Sequence, residues 1–269
     1  MGQVTRQQRR RAHREYVKLG RTAFADGLSP RPQREVVLGV ALIFKAKLTE
    51  QNNARRASEA AGMAQALIER ALEARPPQAA LACRKGCAYC CHSFVGVVAP
   101  EVFRLADAVR ASRNGALGVE AVRARCAPLK GVAPADRIGR KLACPLLVEG
   151  LCGVYADRPM VCRQTTSLAL EACIDEYEDR NRQAQIPVSP LHLAHAGNVH
   201  VALLGALQGA GLAADAHELA GALDLALTMP DAEPRWLAGE DVFRDLPNVV
   251  QRPRDLETVA RRIADEIAP

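Results

Sequence analysis

The sequence predicts a mainly α-helical protein in which helical regions flank a cysteine-rich core carrying one small β-hairpin. Three observations predict it. Apolar residues make up 49% of the 269-residue chain but aromatic residues only 4%, so the apolar content is Ala, Leu and Val, which suits closely packed helices better than sheets. Apolar residues recur at steps of three and four over long stretches at both ends of the chain. All nine cysteines fall between Cys83 and Cys173. The expected division is therefore an N-terminal helical region (1–78), a cysteine-cluster domain (79–180) and a C-terminal helical region (181–269).

The elements follow in order. A first helix is expected near 4–25, then a break at Ser29-Pro30-Arg31-Pro32, then one long helix from Gln33 to Ala74, ended by Pro76-Pro77. Its buried stripe is Val36, Val37, Val40, Leu48, Met63, Leu67, Ile68 and Leu72. Pro100 and Glu101 place proline and acid in the first turn of a helix running to about Arg113, and a further helix is expected over 116–127. Between Cys144 and Tyr155, two short apolar runs around Glu149-Gly150 read as a β-hairpin, the one convincing strand signal. Pro159 should open a short helix that carries Cys162. Helix resumes after Leu168, with apolar periodicity over 191–228, a surface connection over 229–253 and a last helix near 254–267.

Charge and targeting signals bound the function. The net charge of +6 is concentrated in Arg6, Arg9, Arg10, Arg11, His13 and Arg14. That is a basic end rather than a basic face, so it reads as a solvated arm and nucleic-acid binding is not expected. No apolar h-region follows it, and the apolar run Val36–Phe44 is far short of the roughly 20 residues that span a bilayer, so a cytoplasmic chain outside the membrane is expected. The sequence indicates no partner.

Cytosolic thiols stay reduced, and a chain of this size needs no disulfide staples, which leaves metal binding or redox chemistry for the cysteines. Cys83, Cys87, Cys90 and Cys91 put four thiols within nine residues. On a helix the last three would fall about 40°, −20° and 80° from Cys83, on one face. Gly86 could instead allow a tight turn that also converges them. Cys144 and Cys152 flank the hairpin as in a zinc knuckle, and Cys162 at a helix N-terminus should have a lowered pKa. Cys173 either ligates or packs as a small hydrophobe, and Cys126 reads as structural. Arg84, Lys85, Arg140, Lys141, Arg158 and Arg163 adjoin the thiols and would offset the charge of about −2 on a zinc tetrathiolate. His192, His195 and His200 spread too widely on a helix to share one ion and read as core or surface; His92 reads as a surface residue or, next to the cluster, as a ligand in place of one sulfur, and Tyr155 and Phe94 as cover for the site.

Cys83-Arg-Lys-Gly-Cys-Ala-Tyr-Cys-Cys91, Pro100-Glu101, Cys144-Pro145, Cys152-Gly-Val-Tyr155 and Arg158-Pro-Met-Val-Cys-Arg163, closed by Cys173, resemble the YkgJ-type cysteine-cluster family of zinc- or iron-chelating domains. The resemblance covers about a third of the chain. It implies metal ligation by Cys83, Cys87, Cys90, Cys91, Cys144, Cys152, Cys162 and Cys173, leaves out Cys126, and implies zinc or iron as cofactor, an iron–sulfur cluster included. Relatives of flagellin lysine N-methylase in the family imply a metal- or cluster-dependent enzyme as the alternative. A thiol-redox switch is a third reading, although the βαβ setting of such motifs is missing. No catalytic residue is indicated, since nucleotide-loop and His-Glu-x-x-His patterns are missing too.

Overall fold

The computed structural model describes residues 30–74, 76–77, 79–179, 186–249 and 254–268. The helix expected near 4–25 and the basic arm lie outside them. Pro30 opens α1 (Pro30–Leu48), where proline's missing N–H is one that a first turn leaves unpaired anyway. The single helix expected from Gln33 to Ala74 is in fact two, because the chain breaks before α2 (Arg56–Ala74). Asn52 adopts a left-handed φ of 59°, and Asn53 Oδ1 accepts from Arg55 N at 2.9 Å. Arg56 then donates to Leu48 O at 2.8 Å, satisfying a carbonyl that the end of α1 leaves open. Asparagine tolerates this conformation and bonds its own backbone, a local preference that apolar periodicity does not register. Val37, Val40, Leu48, Leu67 and Ile68 of the expected stripe are buried; Val36, Met63 and Leu72 pack at its edge.

Strand β1 (Gly96–Val98) leads directly into α3 (Ala99–Ala111). Then come α4 (Val119–Cys126), flanked by short 3₁₀ turns, and α5 (Pro134–Gly139), which had no clear signal. The expected hairpin is present as β2 (Leu147–Val148) and β3 (Leu151–Cys152). Glu149 and Gly150 both have positive φ, 49° and 75°, the backbone a tight two-residue turn requires. Helices α6 (Met160–Gln164), α7 (Leu170–Glu178) and α8 (Pro190–Gly209) follow.

Periodicity over 191–228 is interrupted. After α8 the chain turns at Gly211 (φ 72°) and forms β4 (Ala216–Glu218), which pairs antiparallel with β1, Val97 opposite His217. This second sheet was not expected, since three-residue strands far apart in sequence carry no turn signal between them. Glu218 then caps α9 (Leu219–Thr228), its carboxylate accepting from Gly221 N at 3.0 Å. The stretch 229–253 is more than a surface connection. It contains α10 (Ala232–Leu237) and buries Trp236 and Phe243 against Phe103. Helix α11 (Arg254–Glu266) closes the chain as expected.

Helix α8 is apolar on every side over Val201–Leu207 because α1, α2, α6 and α11 surround it. A second layer packs α9 against α3 and α4. Among the described residues no helix is long and apolar enough to cross a membrane.

Candidate metal centre

The stretch 83–92 is a turn and one 3₁₀ turn rather than a helix. Gly86 sits at φ 85°, and Cys87 N donates to Arg84 O at 3.0 Å, so the tight-turn alternative is the one realised. The 3₁₀ turn Tyr89–His92 follows, held by Cys91 N to Ala88 O. Backbone bonds then tie this stretch to the rest of the cysteine-bearing chain. Ala82 N donates to Ser167 O, Ser167 N donates to Cys83 Sγ at 3.3 Å, and Cys144 N donates to Cys91 O at 2.7 Å. Cys152 lies in β3 opposite Leu147. Cys173 lies on α7, which packs on the 3₁₀ turn through Tyr177, edge-on to Tyr89 and His92.

Electrostatic influence links the sulfurs in an overlapping chain of pairs. Cys83 lies within electrostatic reach of Cys87, Cys90 and Cys173. Cys91 has Cys90, Cys144 and Cys152 around it, and Cys162 has Cys144, Cys90 and Cys152. Cys126 is buried in the core, where desolvation pushes its thiol up to about 12, although Cys144 lies within reach. Among the described residues no group of three or more His, Cys, Asp or Glu side chains stands in metal-coordinating geometry.

The loop that carries Cys162 is gripped from the helices. Gln65 on α2 donates to Asp157 O at 3.0 Å, Arg104 on α3 donates to the Asp157 carboxylate at 2.7 Å, and Arg163 meets Glu69 of α2. Gly62 lets the Arg104 guanidinium pass, since a Cβ there would stand 3.2 Å from it. Buried Glu101 does the most. One carboxylate oxygen accepts from Val98 N at 3.2 Å and the other from Met160 N at 2.7 Å, so a single side chain caps α3 and docks the start of α6. The sequence signal at Pro100-Glu101 marked the helix start; the docking of α6 depends on a backbone that arrives 59 residues later.

Burial sets the thiol chemistry. Desolvation pushes Cys144 up to about 11 and Cys162 well above its ordinary value. The lowered Cys162 pKa expected from a helix N-terminus is thus reversed, because α6 has five residues and little field to set against desolvation. Cys90 is the exception: a hydrogen bond from the Cys91 thiol brings it down to about 7, and the same bond holds the Cys91 proton on. Of the six cations expected beside the thiols, Arg158 acts on Cys90 and Cys152. Arg163 instead braces the loop, donating to Arg158 O and Ala156 O, and Lys141 pairs with Glu178 over the Tyr177 ring. Arg84, Lys85 and Arg140 are exposed.

Sequence reasoning missed Arg137. It is 1% exposed, donates to Glu218 at 3.1 Å, leaves its Nε without a partner, and its charge reaches Cys144. Lying seven residues before a cysteine on a helix without its own signal, it carried no mark in the sequence. Among the remaining candidates, His192 and His195 are buried on α8, His92 Nδ1 faces Ala88 O at 3.1 Å, and Tyr155 is 63% exposed beneath the Arg158 guanidinium rather than covering the sulfurs.

The candidate ligands are all thiols, a type that would suit zinc, iron and iron–sulfur chemistry rather than hard cations. Residues 82–185 match the model of the CxxCxxCC family, described as "Putative zinc- or iron-chelating domain". No curated protein and no solved structure matches the chain.

Proposed function

We propose that this protein binds zinc or iron, the latter including an iron–sulfur cluster, through the thiolates of Cys83, Cys87, Cys90, Cys91, Cys144, Cys152, Cys162 and Cys173. The convergence of thiols from separated chain segments carries the reading. Thiols of the 83–92 turn, the hairpin, α6 and α7 influence one another electrostatically in pairs, whereas Cys126, outside the family pattern, is sunk in the core. Packing alone does not require this, because buried thiols crowded together raise one another's pKa and gain nothing from proximity unless a cation joins them. A bound cation would draw the thiols into their ionised form and release protons, while Arg137 and Arg158 offset part of the negative charge that results. The metal would supply a charged cross-link between the hairpin, α6 and the 83–92 turn.

Elemental analysis and absorption spectroscopy on anaerobically purified full-length protein test the reading. Stoichiometric zinc in a colourless protein, or iron with sulfur-to-iron charge-transfer bands, is the expected result. A chain that folds normally, and that takes up neither metal when reconstituted under reducing conditions, overturns it.

A further inference from the structure

A cavity of about 240 Å³ lies between β4, α10 and the stretch that follows α10, and no cysteine lines it. Trp236, Phe243 and His217 form its aromatic wall, and the charged residues Asp215, Asp241 and Arg244 stand around it. We infer that this cavity binds a small zwitterion of the amino-acid class: its ammonium group meets Asp215 and Asp241, its carboxylate meets Arg244, and its apolar body lies against the aromatic wall.

The site is built from two chain segments locked side by side. Strand β4 holds His217 opposite Val97 of β1. Along the other edge of β4, Val249 N donates to Ala216 O at 2.7 Å and Asn248 Nδ2 donates to the Asp215 carboxylate at 2.5 Å. The wall is braced from behind, since Phe103 packs on both Trp236 and Phe243, and His217 stacks on Phe243 with ring centroids 5.1 Å apart. The Pro247 carbonyl, 3.3 Å from His217 Nδ1, can only accept, so it keeps a proton on that nitrogen and leaves Nε2 as an acceptor in the neutral ring. Burial lowers the His217 pKa against the pull of Asp215 and Asp241, whose charges both reach the ring.

Two carboxylates and one neutral acceptor nitrogen suit an ammonium group, which has three N–H donors and is also drawn to the faces of aromatic rings. A guanidinium beside them suits a carboxylate. The ligand therefore needs both signs, because a plain anion would meet two carboxylates and a plain amine would meet the Arg244 charge. The volume, the share of roughly eight water molecules, admits an amino acid and excludes a nucleotide.

Trp236 is the only tryptophan in the chain, so the intrinsic fluorescence of full-length protein reports on this cavity alone. Titration with L-phenylalanine or L-leucine should give a saturable change with a Kd of about 1 mM or less, and calorimetry should give the same constant. Phenethylamine and 3-phenylpropionate, which each lack one charge of phenylalanine, should bind at least about tenfold more weakly. Asp241 and Arg244 are exposed, so their variants should keep the wild-type circular dichroism. Asp241→Asn should weaken phenylalanine binding at least about tenfold, and Arg244→Gln should weaken it while leaving phenethylamine unchanged. The inference is overturned if neither amino acid gives saturable binding in either measurement up to about 10 mM, or if a single-charge analogue binds as tightly as phenylalanine.

Discussion

At the scale of single residues, one buried carboxylate helps to set where Cys162 stands. Glu101 satisfies two buried N–H groups at once. Glu101→Ala leaves Val98 N and Met160 N unpaired, each at about 1–3 kcal/mol, so urea unfolding should show a loss of about 2–5 kcal/mol. Glu101→Gln keeps one acceptor oxygen and should lose clearly less; equal losses would contradict the double cap. Gly153, directly after Cys152, would as Ala place its Cβ 2.5 Å from both Leu117 methyl carbons. Gly153→Ala should cost about 1–3 kcal/mol by the same measurement, and Leu117→Ala in the same chain should recover part of it. The sequence shows the residues whose meaning is in their spacing, above all the cysteines. It conceals those whose worth depends on what arrives opposite them: Glu101 reads as a helix start, and Arg137 as one more surface cation, until α6 and Glu218 are in place.

Among the elements, the closest approach is between α8 and α11. A Cβ on Gly205 would meet Ile263 at 2.5 Å and the Ala260 carbonyl at 3.0 Å, whereas one on Gly209 would meet only the flexible end of Ile267 at 3.1 Å. The carbonyl cannot rotate aside. Gly205→Ala should therefore lower stability by about 1–3 kcal/mol and Gly209→Ala by much less; the reverse order in thermal melts would refute this account of the interface. Periodicity made the long helices and the hairpin legible because each signal is local. The break at Asn52 was hidden because a left-handed asparagine leaves the apolar pattern on either side intact. The β1–β4 pair was hidden because its two strands acquire meaning only from each other.

For the molecule as a whole, buried titrating groups set a pH limit. Burial lowers the pKa of His217, and burial aided by the Arg158 charge lowers that of His192, both from an ordinary value of 6.5. In the unfolded chain these rings take up protons once pH falls below about 6.5, before the folded rings do, so stability should fall with pH through that range. Asp224 adds a later step. Burial opposes its ionisation, but hydrogen bonds from Lys130 and Arg123 outweigh this and hold its pKa below the ordinary 3.8. Its contribution is complete above that value and is lost as pH falls further. Urea midpoints measured from pH 7.5 to 4.5 should decline below about 6.5, and a flat profile across that range would contradict the burial of these two rings.

The grip of α2 and α3 on the 155–163 loop has a further consequence. Gln65, Glu69 and Arg104 belong to helices without a single cysteine, yet they fix the anchorage of Cys162. Helical packing and the placement of Cys162 are thus mechanically one system. Damage to that frame would surface as a displacement of Cys162, many residues away in the chain.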